Sequence, residues 1–265
     1  MIGRGQSGQP YLPRLLPARP ARLRYDRGPL SRRTWLTLLA LLLLLGLGSF
    51  LLVTCDDHQD NAAPTSLAQA HLGGARRLPG RVCMTLVSDV SSSMAKPPLP
   101  SVRASAVRDL LEFSRRELAP DDVLGGISFA GDAQTSLPLT PIRDIQGTPR
   151  LDPLLTSGGT AFLPVLKRAE SMYAGQRCAA SALAVVSDGE LAGDSPQALG
   201  DEVAAAAFTR VVFFIPGKNQ PRPTALSDPR LGGIQVVNFR PNGDDLGLAY
   251  GRLLADLTGR QLAGR

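Results

Sequence analysis

The sequence predicts an α/β domain, a doubly wound and mostly parallel sheet with helices on both faces, preceded by one transmembrane helix. Three observations predict it. From residue 81 onward, short runs that are apolar throughout alternate with longer stretches of helical period, as buried parallel strands alternate with crossover helices. Gly, Pro, Asp and Ser cluster between these stretches, marking turns. Ahead of them, "TWLTLLALLLLLGLGSFLLVTC" (34–55) carries no charge at all.

Taken in order, "RVCMTLVS" (81–88) predicts a strand buried on both faces. "SVRASAVRDLLEFSRREL" (101–118) repeats apolar residues at Val102, Ala106, Leu110 and Phe113, a helix with Ser101 as its expected N-cap. "DVLGGISFA" (122–130) and "TSLPLT" (135–140) predict a hairpin turning at Gly131-Asp132. A loop, "TSGGT" (156–160), leads to a helix over 163–173. "SALAVVSD" (181–188) is the next buried strand and "PQALGDEVAAAAF" (196–208) a helix. "TRVVFFIP" (209–216) and "GIQVVNF" (233–239) are further strands, and 244–258 closes the domain as a helix. The expected organisation is a basic cytoplasmic tail (1–34), a membrane helix (35–54), a linker (55–80), one domain (81–258) and a short tail (259–265). Both histidines, His58 and His71, fall in the linker.

The net charge of +6 belongs to the tail. Residues 1–34 hold eight arginines and one acid, Asp26, a net of +7, so the remainder sums to −1. A nucleic-acid binder needs a basic stripe on its domain, and none is expected here. Twenty-two helical residues reach roughly 33 Å, enough for a hydrocarbon core of about 30 Å. Arginines precede the apolar run and Asp56, Asp57 and Asp60 follow it, which places the N-terminus in the cytoplasm and the domain outside the cell membrane. An uncleaved signal-anchor is the first expectation; a lipobox-like "LVTC" and a twin-arginine-like "SRRTWL" leave lipidation at Cys55 or Tat export as alternatives.

"LVSDVSSSMAKPP" (86–98) poses the functional question. Ser93 and Lys96 have the S-x-x-K spacing of an acyl-transfer enzyme, in which both residues share a helix face. Pro97 pushes Lys96 out of helical geometry, and neither K-T-G, S-D-N nor G-x-S-x-G occurs. The other reading is a hard metal site. In open α/β sheets ligands sit beyond the carboxyl ends of the strands, where this chain places Asp89, Ser91, Ser93, Thr160 and Asp188. Five oxygen groups with no Cys or His suit Mg²⁺, Mn²⁺ or Ca²⁺.

D-x-S-x-S-M after a buried strand, G-G-T at 158–160 and an apolar strand ending S-D-G at 187–189 resemble the metal-ion-dependent adhesion site of von Willebrand factor A domains. The resemblance spans 81–258 and implies that Ser91 and Ser93 ligate the ion directly. It further implies that Asp89 and Asp188 hold the ion directly or through water, and that Thr160 joins when a ligand docks. Gly158, Gly159 and Gly189 would supply the turns. The three prolines of "AKPPLP" (95–100) depart from the family pattern at the rim of the site. The expected function is a membrane-tethered extracytoplasmic binding or adhesion module, not an enzyme, whose Mg²⁺ (Mn²⁺ or Ca²⁺ as alternatives) accepts an Asp or Glu from a protein partner. A permanent assembly subunit is the alternative reading.

Two further expectations concern environment. The Asp89 carboxylate is expected to face a wet crevice. Cys83 and Cys178 would be offset by four residues, about 13 Å, if the acidic ends of their strands were level. A disulfide needs Cα atoms within about 7 Å, so two free thiols are expected unless the chain at 176–179 folds back.

Overall fold

The computed structural model describes residues 63–151, 158–206 and 208–265. The basic tail and the predicted membrane helix lie outside them, and among the described residues no helix is long and apolar enough to cross a membrane. The strands are β1 (Ala70–Gly73), β2 (Val82–Asp89), β3 (Val123–Phe129), β4 (Ala133–Pro141), β5 (Ala180–Val186), β6 (Arg210–Pro216), β7 (Ile234–Phe239) and β8 (Gln261–Gly264). The helices are α1 (Leu99–Glu117), α2 (Leu163–Tyr173), α3 (Pro196–Ala205) and α4 (Gly243–Thr258).

Six strands form the main sheet in the order β4-β3-β2-β5-β6-β7. All neighbours run parallel except β3 and β4, the expected hairpin. The chain builds outward from β2 through β3 to β4, then crosses back to β5 on the other side of β2. That reversal makes the carboxyl ends of β2 and β5 a topological switch point, the place where open α/β sheets form a crevice.

Strand alternation divides the core in two. Met84, Leu86, Ala182, Ala184 and Phe214 pack with α1 and α4, while Val87, Leu183, Val185 and Phe213 pack with α2 and α3. On α2, Val165, Leu166 and Ala169 are fully buried at helical spacing; burying each of the two larger side chains stabilises the fold by about 1.5–3 kcal/mol. Ser101 does not cap α1. The helix starts two residues earlier, at Leu99, and the Ser101 hydroxyl instead donates back to Pro98 O (2.7 Å).

The fold extends beyond 81–258 at both ends. Residues 70–73, expected in the linker, and 261–264, expected in the tail, pair as an antiparallel β1–β8 ribbon. Leu67, Ala70 and Leu72 join the core beneath α1 and α4. Arg260 fastens the ribbon by donating to Glu117 O (2.9 Å), Gly74 O (3.1 Å) and Leu72 O. Four-residue strands whose partners lie 188 to 194 positions away leave no alternation to read in the sequence.

Cys83 and Cys178 are bonded, with Cα atoms 5.8 Å apart, against the expectation of free thiols. The acidic strand ends are not level: Ser88 pairs with Val186 and Cys83 with Ser181, so the offset is three residues rather than four. Those three residues do not continue the strand: the chain bends at Ala179, whose N donates to Arg81 O (2.7 Å). Non-reducing peptide mapping should recover a linked Cys83–Cys178 pair. Replacing both cysteines by alanine should lower stability by about 2–4 kcal/mol; two alkylatable thiols in the native protein would contradict this pairing.

Candidate metal site

Asp89 ends β2 and is wholly buried, not in the wet crevice expected from the sequence. Its Oδ1 accepts from Ser91 N (2.9 Å) and its Oδ2 from the Ser187 hydroxyl (2.6 Å). Burial pushes the Asp89 carboxyl above the ordinary carboxylate range; the hydrogen bonds from Ser187 and Ser91 oppose that rise, and the nearby charge of Asp188 adds to it.

The turn after Asp89 is held from several sides. Val90 N donates to Phe129 O (2.8 Å) and Ala95 N to Ser91 O (2.9 Å). Met94 is buried in the core, and Arg103 of α1 donates to its carbonyl (3.0 Å). This clamping brings the Ser91 and Ser93 hydroxyls within 3.2 Å of each other, while Ser92 is exposed. Lys96 lies in the turn ahead of α1, outside the helix.

Asp188 follows β5, and its Oδ1 accepts from Glu190 N (3.1 Å). Gly189 takes a φ of 79°, and a Cβ there would stand 2.4 Å from Pro223 Cγ, so this turn demands glycine. Thr160 is 8% exposed and follows Gly159 at φ 99°. Its loop is tied to both neighbouring turns: Ala161 N donates to Ala130 O (2.7 Å), and Thr160 O accepts from Ala192 N (2.9 Å).

Sequence reasoning missed two residues that organise this site. Ser187 bridges its two halves, donating to Asp89 and accepting from Gly189 N (3.0 Å). It stands beside Asp188 in the sequence, yet its place opposite Asp89 depends on the β2–β5 register. Asp194 caps α2 from a distance, its Oδ2 accepting from Phe162 N and from Leu163 N (3.0 Å). Phe162 at the N-cap position offers no side-chain acceptor, and Asp194 supplies one from 32 residues away. It thereby fastens the Thr160 loop to the segment after Asp188.

The donor set fits a hard divalent cation. Two carboxylates and three hydroxyls are available, and no group of three His, Cys, Asp or Glu side chains among the described residues suggests a softer metal site. The 3.2 Å between the Ser91 and Ser93 hydroxyls is near the spacing of neighbouring octahedral ligands. That spacing is about 3.0 Å for Mg²⁺ at about 2.1 Å, and about 3.4 Å for Ca²⁺ at about 2.4 Å.

The sequence matches no protein-family model and no curated protein. Its fold does match solved structures. A von Willebrand factor type A protein from Catenulispora acidiphila superposes with a TM-score of 0.54 at 16% identity, over 69% of this chain and 44% of that one. The chain therefore spans less than half of that protein. BatB from Bacteroides thetaiotaomicron (TM-score 0.49, 20% identity) is covered over 99% of its length by 67% of this chain. An aerotolerance-related membrane protein from Bacteroides fragilis (0.46, 20%) is covered over 100% by 68%. The chain has the von Willebrand factor A fold.

The raised Asp89 carboxyl has a pH consequence. Its neutral form is favoured by the folded state, so this contribution to stability is present below the ordinary carboxylate range and lost as pH rises through the folded value. In chelator, the melting temperature of Asp89→Asn should gain on wild type as pH is raised from about 4, levelling once Asp89 is ionised. A gap that does not change with pH would contradict the assignment.

Proposed function

We propose that the domain captures an acidic protein partner through a divalent cation, Mg²⁺ foremost, held by Ser91, Ser93, Asp89, Asp188 and Thr160. The observation that carries this reading is the pair of serine hydroxyls set 3.2 Å apart beside a buried carboxylate, at the crevice where the sheet reverses. The cation would supply electrostatic attraction for a carboxylate. Ser91 and Ser93 offer neutral oxygens, which leave that attraction less diminished than four carboxylates would. Asp89, held by Ser187 and Ser91, fixes negative charge behind the hydroxyls. Thr160 stands on a loop braced by Ala130, Ala192 and Asp194, and it would add a third hydroxyl as a partner's Asp or Glu docks.

The same reading makes the module extracytoplasmic and tethered by residues 35–54. The charge asymmetry about that run supports it, as does the Cys83–Cys178 bond, which suits an oxidising compartment. Binding is the proposed role rather than acyl transfer, because Lys96 stands outside α1 and so off the helix face that an S-x-x-K pair would share.

The test is capture from solubilised membranes with Mg²⁺ and then with chelator, beside melting curves. Wild type should retain partners only with Mg²⁺ and gain stability from the ion, by about 2.7 kcal/mol at one hundred times its dissociation constant. Asp89→Asn should lose both effects. Thr160→Ala should keep most of the ion-dependent gain and lose most of the capture. Wild type showing neither ion-dependent gain nor ion-dependent capture would overturn the reading.

A further inference from the structure

The end of the sheet opposite the crevice is the end at which the chain enters the domain. Ala63 and Pro64 share a cleft with Ala255, Asp256 and Arg260, at the C-terminal turn of α4. Arg77 N donates to Thr258 O (3.1 Å) at the same end. A second cleft there is lined by Arg81, Arg177, Asp121 and Asp122. Both acids are engaged: Asp122 accepts from both Arg76 terminal nitrogens (2.7 and 2.8 Å), and Asp121 pairs with Arg143. Arg81 reaches only Gln176 Oε1 (3.4 Å), and Arg77 and Arg177 have no ion-pair partner among the described residues. Between Arg77 and Arg81 stands Leu78, 40% exposed, the one exposed large hydrophobic side chain among the described residues.

We propose that this base, built of Arg77, Leu78, Arg81 and Arg177, rests on anionic phospholipid headgroups of the bilayer to which the chain is tethered. The inference rests on the tethering proposed above. Eight residues (55–62) separate the predicted membrane helix (35–54) from Ala63, a span of about 28 Å at most at about 3.5 Å per residue, so the entry end stays near the surface. Guanidinium groups match phosphate oxygens in geometry as well as charge. An apolar side chain between them can reach past the headgroups, as in interfacial anchors. Docked this way, the domain turns its metal crevice away from the bilayer, toward a partner.

The full chain would be reconstituted into nanodiscs of phosphatidylcholine alone or with 30% phosphatidylglycerol, and amide exchange followed at 74–81 and 174–179. Anionic lipid should slow exchange in both segments at least fivefold, the effect of roughly one arginine at a charged surface. The Arg77→Gln/Arg81→Gln/Arg177→Gln variant, altered only at exposed or half-buried side chains, should melt like wild type and show no lipid effect. Exchange that ignores lipid composition would overturn the proposal, including the case in which Asp56, Asp57 and Asp60 occupy these arginines. Equal protection by inorganic phosphate over phosphatidylcholine discs would overturn it in favour of a free-anion site. Failure of the chain to remain with discs would refute the tethering, and this proposal with it, a result distinct from insertion without protection.

Discussion

A carboxylate buried at the end of a central strand is the constraint around which the domain is arranged. Asp89 has no exposure to water, and an ionised acid there is costly unless hydrogen bonds or a cation compensate. The protein supplies two hydrogen bonds, from Ser91 N and the Ser187 hydroxyl. Both depend on topology. Ser187 reaches Asp89 only because β5 crosses back to lie beside β2, and Ser91 N turns inward only because the following loop is pinned by Phe129, Met94 and Arg103. The charge of Asp188 adds to the electrostatic cost. The resulting deficit of positive charge is what a divalent ion would satisfy, so the energy stored in the metal-free fold and the proposed affinity for the ion have one origin.

The two ends of the sheet divide the work. At the carboxyl end, the turns after β2 and β5 and the loop before α2 carry every proposed ligand, and their glycines and cross-loop hydrogen bonds fix where the hydroxyls stand. At the other end, the domain is closed by covalent and ionic ties. The Cys83–Cys178 bond joins the start of β2 to the segment before β5. Asp122 collects Arg76, Val82 N and Ala119 N, and the β1–β8 ribbon binds the entering chain to the leaving one. A partner captured at the proposed site would load the sheet along its strands, toward the end that carries these ties.

The sequence made the central strands and their mostly parallel sheet plain, because strands buried on both faces cannot hide their apolar runs; their order in the sheet came from the structure. Helix α2 matched its expected bounds of 163–173, as its Val165-Leu166-Ala169 face repeats at helical spacing. What escaped shares a physical cause: contacts between segments distant in the chain. The ribbon of residues 70–73 with 261–264, the Asp194 cap on α2 and the Ser187 bridge each join elements whose proximity follows from register, not local pattern. The cysteine pair failed for the same reason, through a one-residue error in how β2 and β5 align. The five oxygen residues proposed as ligands could be named from the sequence because their spacing is local within each turn, and each turn follows a recognisable strand or glycine pair. The burial of Asp89 was not, since it depends on neighbours that the turn itself does not name.

The central claim is that Ser91 and Ser93, backed by Asp89, hold one divalent ion. Titration of the full chain with Mn²⁺, followed by electron paramagnetic resonance of the free ion, tests it most directly. The account predicts one saturable site per chain, displaced by Mg²⁺ and lost in a Ser91→Ala/Ser93→Ala variant of unchanged circular dichroism. Absence of a saturable site in wild type, or equal binding by that variant, would contradict it.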